Sequence, residues 1–340
     1  MIEFYDISNW IWQDWNKPPK GTRAQAIIEN PQTGGIYYFK QSKENYPSEI
    51  WSEIIASKFG QMIGFNVLDY NIAAYEQKLG CLSKSMIVKS EGETLYHGVD
   101  VLNDFIEEFE ISDKPTYSFQ NLQQICSQNE VFEGFMDNFI EIILFDALIG
   151  NTDRHTENWA LIMKISIEFE RKKNIKPSKS FNKLLNLIRK IVKLIAKREL
   201  DLNLHANIKS EYLFSPIYDS GSCLGREIAE NEITNFLNDK QRTTAYINRG
   251  KSEILWYDKR LNLFQFIQEV EHTMPEAVKK IATKMFAQIT DEKIDLLVQN
   301  ADNCLLGKNH ETYLTSKRKF LIQTLLKQRL KFLKETIHID

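Results

Sequence analysis

Phe145-Asp146-Ala147-Leu148-Ile149-Gly150-Asn151-Thr152-Asp153-Arg154-His155-Thr156-Glu157-Asn158-Trp159-Ala160-Leu161-Ile162-Met163 is the stretch on which the fold turns. An apolar, helix-like run from Phe139 to Ile149 leads into it. Gly150 and Asn151 then break the period, as helix-stop residues do. Asp153, Arg154, His155 and Asn158 follow, packed into six positions, and Trp159 to Met163 reads as a short buried strand. Charged and polar groups set between a buried helix and a buried strand are expensive unless they are paired or functional.

Their spacing points to a chemistry. Asp153 and Asn158 are five residues apart, the Asp-x-x-x-x-Asn separation of catalytic loops in phosphoryl transfer. One carboxylate there can hold an acceptor hydroxyl, and the amide oxygen five residues on can ligate magnesium. Such a loop needs a second metal carboxylate on a following strand. Ser215-Pro216-Ile217-Tyr218-Asp219-Ser220-Gly221 reads as strand, Asp and turn, the layout of an Asp-Phe-Gly segment with Ser in place of Phe. A plainer alternative is a surface turn in which Asp153 pairs with Arg154 or His155.

Gly-Asn-Thr-Asp-Arg-His-x-x-Asn from Gly150 to Asn158, followed by Tyr218-Asp219-Ser220-Gly221, resembles the HipA-type serine/threonine kinases of the wider protein-kinase-like superfamily. The resemblance implies an α+β, bilobed fold, with a small antiparallel-sheet lobe carrying one helix and a larger, mainly helical lobe. It also implies ATP and Mg2+ as cofactors and a serine or threonine of a protein as acceptor. A toxin-like action on a translation-related protein and an antitoxin-like inhibitor as partner follow from the same likeness. In these terms Asp153 orients the acceptor, Asn158 and Asp219 bind magnesium, and Arg154 and His155 brace the loop. Asp-Arg-His-x-x-Asn also resembles the loop of phosphoinositide kinases, so a lipid kinase is the enzymatic alternative. A nucleotide-binding pseudokinase is the non-enzymatic one.

The composition agrees with a globular protein. Of 340 residues, 43% are hydrophobic and 26% charged, which leaves ample core for one large or two smaller domains. The net charge of −3 gives no field demanding nucleic acid. Cys81, Cys126, Cys223 and Cys304 form no Cys-x-x-Cys pair, so neither a disulfide framework nor a zinc site is indicated. The opening Met-Ile-Glu-Phe-Tyr-Asp lacks the regions of a signal peptide, and no apolar run is long enough for a membrane span. The expectation is a cytoplasmic protein.

Residues 1–90 read as the small, nucleotide-binding lobe. Trp10, Trp12 and Trp15 make a packing cluster. Ala24–Glu29 and Ile36–Lys40 read as strands joined at Asn30-Pro31-Gln32-Thr33-Gly34-Gly35, a hairpin signature. Lys40 ends an aromatic strand, where its ammonium can reach phosphates. Ser48 is a plausible N-cap for a helix that Gly64 closes, with Trp51, Ile54, Ile55, Phe59, Met62 and Ile63 at helical spacing. Glu49 and Glu53 share a face of it, and either can pair with Lys40. The resemblance favours Glu53, since family members place a Ser-Glu pair ahead of an apolar helix ending in Gly. It also makes Lys20-Gly21-Thr22-Arg23 the phosphate loop, with Gly21, Thr22 and Arg23 against the nucleotide and Thr22 an autophosphorylation candidate. Asn66–Tyr75 and Gly80–Val88 read as two more strands. The second leads into a hinge whose backbone, from Ser83 through Lys84 and Met86 to Ile87, would meet the adenine.

Residues 91–340 read as the large catalytic lobe, with an insertion at about 166–212. Short helices are expected at 101–109 and Phe119–Asn129. Val131–Ile149 reads as a central helix, apolar nearly all round. In the insertion, 181–200 reads as a basic amphipathic helix, a candidate partner surface. Arg242 and Arg249 are candidates to accept a phosphate or a substrate carboxylate. From Asn262 the chain reads as helical, ending in a basic helix at Lys317–Lys334. Typical members of the resembled family carry a longer segment ahead of the phosphate loop, whereas about twenty residues precede it here. A core-only member is expected.

Overall fold

The computed structural model describes residues 2–13, 26–106, 117–170, 205–308 and 310–337. Gly21, Thr22, Arg23 and Trp15, and the helix expected at 181–200, lie outside the described residues.

The small lobe is a six-stranded sheet and one helix. Its elements are β1 (Phe4–Asp6), β2 (Ile11–Trp12), β3 (Ala26–Glu29), β4 (Ile36–Gln41), α1 (Glu49–Met62), β5 (Tyr70–Tyr75) and β6 (Lys78–Lys84). The strand order is β1-β5-β6-β4-β3-β2. The β3–β4 hairpin forms where the Asn/Pro/Gly cluster puts it. Asn30 turns the chain by accepting the Gln32 amide on its side chain at 2.9 Å, an Asx turn. All pairs are antiparallel except β1 with β5, which run parallel with Phe4 opposite Ile72. The expected antiparallel sheet is therefore mixed at one edge. A hairpin, a helix and more than sixty residues separate those two strands, so no tight turn dictates their direction.

Alternation along β4 sorts its side chains. Phe39 faces the outer layer with Ile7, Ala26, Ile28, Ala73 and Leu82, under Trp10, Trp12 and Tyr37. Lys40, one residue on, faces α1. Helix α1 is buried from Glu49 through Gly60, between the sheet and the large lobe. A Cβ at Gly60 would stand 2.3 Å from Val67 and 3.1 Å from Phe145, so glycine sets how closely α1 meets the large lobe. Gly64 ends the helix at φ +86° as expected. Ser48 does not cap it with its side chain. Ser42 Oγ accepts the Ile50 amide at 3.2 Å instead, because the 42–47 turn folds back over the helix start.

A second sheet, β7 (Glu93–His97), β8 (Ala160–Glu170) and β9 (His205–Phe214), is antiparallel in the order β7-β8-β9. The β8–β9 ladder runs from Leu161–Phe214 to Glu170–His205, well into the stretch read as an insertion. Strand β9 stops at Phe214, so Ser215–Asp219 is not the strand expected. Pro216 has no amide to give a ladder. The chain instead changes partners: the Ser215 amide reaches Ala160 O, and Ile217 pairs with 66–68 at the small lobe. Asn66–Asp69 serves that contact, so only Tyr70–Tyr75 of the expected strand joins the sheet.

The large lobe adds α2 (Gly98–Phe105), α3 (Phe119–Gln128), α4 (Phe135–Ile149), α5 (Ile233–Asn238), α6 (Lys240–Arg249), α7 (Leu263–Thr273), α8 (Pro275–Phe286), α9 (Asp291–Gln299) and α10 (Ser316–Thr336). Helix α4 starts four residues later than expected, because Gly134 at φ +85° interrupts the chain after a short 3-10 turn. It is central, packing on α7, α8 and α10. Helix α10 buries Leu321 and Leu325, while Phe320 is 59% exposed and off the packing face. Among the described residues no helix is long and apolar enough to cross a membrane.

Candidate active site

The end of α4 organises the loop that follows it. Gly150 takes φ +73° and returns its amide to Asp146 O at 2.8 Å, closing the helix. A Cβ there would stand 2.6 Å from the Arg329 guanidinium. Arg329, fully buried on α10, donates to Ala147 O at 3.1 Å. A cation at the carbonyl end of α4 is favourable for the helix dipole, although burial lowers its pKa.

Asp146, the one acid in the last turns of α4, is 4% exposed and receives three donors. Arg154 grips it with Nε–Oδ2 at 3.0 Å and Nη2–Oδ1 at 2.8 Å, and Asn151 Nδ2 adds a third bond at 3.0 Å. The remaining Arg154 donors reach Asn158 O at 3.0 Å, Tyr218 O at 2.5 Å and Ser220 Oγ at 3.0 Å. One guanidinium thus ties the helix, the loop and the Asp219 segment together. Burial alone would depress its pKa, but the Asp146 carboxylate outweighs this and holds it above the ordinary arginine value. The partner of Arg154 is therefore Asp146, not Asp153.

Asp153 and Asn158 are joined inside the loop. Asn158 Nδ2 donates to Asp153 O at 2.6 Å, and the Asp153 amide donates to Asn151 Oδ1 at 3.2 Å. With the amide nitrogen so occupied, the Asn158 side chain presents its oxygen as the remaining ligand atom. His155 Nδ1 accepts the Glu157 amide at 3.3 Å, a bond that stays within the turn.

Lys40 crosses to meet this region. Its Nζ stands 3.4 Å from Glu53 Oε2 and 2.6 Å from Asp219 Oδ1. Glu53 also accepts the Ser220 amide on Oε1 at 2.7 Å. Glu49 is paired with Arg226 instead, which separates the two candidate glutamates. Gly221 allows the approach: a Cβ there would lie 2.8 Å from Glu53 Oε2. Asp219 itself has φ +51°, a conformation that costs a non-glycine residue about 1–3 kcal/mol and occurs where surrounding bonds enforce it. Those bonds are the Ser220 amide on Glu53 and the Tyr218 hydroxyl on Glu157 O at 2.8 Å. Finally, Ser222 Oγ donates to Asp153 Oδ2 at 2.9 Å, so the Asp153 loop and the Asp219 segment touch.

At the candidate hinge, Ser83 lies inside the ladder, opposite Tyr38 on one side and Tyr70 on the other, so its peptide groups face strands. Lys84 is the last strand residue and exposed, and the chain leaves the sheet at Ser85–Ile87 around Met86. Arg242 pairs with Glu232 and lies over Phe236, and Arg249 lies over Tyr246. Among the described residues no group of three or more His, Cys, Asp or Glu side chains is placed to hold a metal. Asn158 and Asp219 supply one amide and one carboxylate. That set suits a magnesium ion taking its other ligands from phosphates and water.

Sequence reasoning did not find Asp146, Ser220, Ser222 or Arg329. An acid inside the apolar run Ile142–Ile149 at the end of α4 was the signal available for Asp146. Ser220 stood in the Asp-Phe-Gly-like segment without a role of its own, and nothing local marked the contacts of Ser222 and Arg329.

No family model matches this sequence. A serine/threonine-protein kinase, CtkA of Helicobacter pylori, is 21% identical over 275 residues, covering 79% of this chain and 69% of that protein. The crystal structure of the proinflammatory kinase CtkA of Helicobacter pylori superposes with a TM-score of 0.71 at 17% identity, over 98% of this chain and 96% of that one. The HipA–HipB toxin–antitoxin system of Shewanella oneidensis, in complex with its operator DNA, gives 0.51 at 9% identity, over 96% and 69%. The chain therefore has the bilobed, protein-kinase-like fold of these proteins, as the residues from Gly150 to Asn158 led one to expect.

Proposed function

We propose that this chain is an ATP-dependent serine/threonine protein kinase of HipA type. The observation that carries the reading is Lys40 held between Glu53 and Asp219, with Asp153 joined to the same segment through Ser222. Three chain regions far apart in sequence contribute a lysine, three acids and, through Asn158 beside Asp153, an amide oxygen, the equipment for positioning and neutralising a triphosphate. A protein acceptor is favoured over a lipid by the name of the relative CtkA, a serine/threonine-protein kinase. An antitoxin-like partner, a toxin-like effect and a cytoplasmic location are further proposals, the first two resting on the likeness to HipA. We place the lobe boundary at the turn Lys89–Glu91, between β6 of one sheet and β7 of the other.

In this reading Lys40 holds the α- and β-phosphates, and Glu53 fixes Lys40. The peptide groups around Met86, where the chain leaves the sheet, meet the adenine. Asp153 accepts a hydrogen bond from the serine or threonine hydroxyl and takes its proton as the γ-phosphoryl group transfers and ADP leaves. Asn158 and Asp219 would hold magnesium, which supplies positive charge to the phosphate oxygens. Arg154 and His155 keep the loop in shape.

The test is radiolabel transfer from γ-labelled MgATP, with thermal melting in parallel. Asp153→Asn is expected to abolish transfer while keeping the rise in melting temperature that MgATP gives the wild type. Transfer at the wild-type level by that variant would refute the assignment.

A further inference from the structure

The Asp153 carboxylate is the group whose orientation this chemistry depends on, and its own loop does not fix it. The loop bonds go to the Asp153 backbone: Asn158 Nδ2 to its carbonyl and its amide to Asn151. A carboxylate turns easily about its last bond, because that torsion is broad. The side-chain bond comes from the other segment, where Ser222 Oγ donates to Oδ2 at 2.9 Å. We propose that Ser222 is a positioning residue for the phosphoryl-transfer base, pinning Oδ2 of Asp153 so that Oδ1 is the oxygen offered to the acceptor hydroxyl. This rests on the kinase reading above.

The backbone around Ser222 is fixed on both sides, which makes its hydroxyl a fixed donor. Before it, the Ser220 amide is bound to Glu53 Oε1 at 2.7 Å, and Gly221 lies against the same carboxylate. After it, Cys223 Sγ contacts Ser52 O at 3.8 Å, and the Leu224 amide donates to Ile149 O at 3.0 Å. Both flanks are anchored to α1 or to the end of α4, the elements that carry Glu53 and lead into the Asp153 loop. The same short segment therefore contacts the lysine-holding glutamate at Ser220 and the base at Ser222. A shift of α1 that released Lys40 would also release Asp153. This clamp further argues against Ser222 as a phosphate acceptor, since its Oγ can move only by rotating χ1.

The experiment uses the full chain with MgATP and dephosphorylated casein, following ADP formation and label transfer for the wild type, Ser222→Ala and Ser222→Thr. Losing the pinning hydroxyl is expected to lower kcat on the order of tenfold, the scale of a slightly misplaced catalytic group. KM for ATP and the melting shift with MgATP should stay within twofold of wild type, and threonine should restore most of kcat. A merely structural serine would show the opposite pattern, with KM and melting temperature moving together and threonine no better than alanine. That pattern, an unchanged kcat in Ser222→Ala, or phosphate on Ser222 in the mass spectrum of MgATP-treated wild type would each overturn the proposal. If the alanine variant does not fold, the threonine variant decides alone: kcat near wild type supports the hydroxyl, and a tenfold loss with KM unchanged removes it. Should the wild type form no ADP and show no melting shift, the kinase reading itself fails. That outcome is visible in the wild type, before any variant is compared.

Discussion

Two charge networks meet at the Tyr218–Ser220 segment and are built on opposite terms. Around Arg154 the nitrogens are committed to protein oxygens, the cation is 2% exposed and its partner Asp146 4%. Around Lys40 the lysine is equally buried, but the Asp219 side chain is 26% exposed and sits at a strained φ of +51°. The first network is saturated from within and can only brace. The second is partly open at Asp219, where a ligand can reach its charges. Exposure, not the presence of ion pairs, therefore separates the bracing network from the proposed site.

That contrast predicts where mutations act. Arg154→Met would leave Asp146 buried without its cation, which costs about 3–5 kcal/mol; urea unfolding should register most of it, with activity lost because the fold is. Lys40→Met should reverse the signature. Transfer from MgATP should fall by at least roughly a hundredfold, the scale of a lost transition-state contact, with a smaller change in unfolding, because Glu53 keeps the Ser220 amide and Asp219 is partly exposed. Equal loss of stability in the two variants would erase the distinction. Gly221→Ala should fall between them. Its Cβ would meet Glu53 Oε2 at 2.8 Å and move the carboxylate off Lys40, lowering kcat while the chain stays folded.

The smallest effect compares two acids on α4. Asp146 has Arg154, whereas Glu141 is half-buried, and burial first, then the Asp137 charge, raises its pKa against a weaker pull from Lys284 and Lys280. The folded state then holds the Glu141 proton longer than the unfolded state. Stability falls as pH rises from the ordinary glutamate value to the raised one, and the penalty is complete above it. Glu141→Gln should raise the melting temperature slightly at pH 7, with the gain vanishing at pH values below the ordinary glutamate range. A gain that persists in acid would assign it to packing instead.

The sequence made one of these networks partly legible and hid the other. Asp153, Asn158 and Asp219 were named because a motif and its spacing carry them, Lys40 because it ends an aromatic strand, and Glu53 because the family likeness favours it over Glu49; the structure brings Lys40, Glu53 and Asp219 into contact. Asp146 lies inside the very helix that was read as apolar, and Ser222 gains its meaning only through a partner 69 residues away. Such contacts follow from how the large lobe folds back on itself, which no local pattern encodes. Local signals also misplaced ends. Ser48 has the chemistry of a cap but loses the position to Ser42, and Pro216 ends a strand read as running to Asp219. The Asn30 hairpin and the Gly64 and Gly150 helix stops were legible because a single residue decides each.

Arg329 ties two events of different timing. It stands 182 residues beyond the Ala147 carbonyl it binds, and it packs under Gly150 at the start of the Asp153 loop. During synthesis Lys40, Glu53, Asp153, Asn158 and Asp219 leave the ribosome long before α10 does, at roughly 5–20 residues per second. The loop then waits many seconds for its last support. A nascent or truncated chain ending before α10 would carry the full signature yet lack the buried guanidinium that supports the end of α4 beneath the loop.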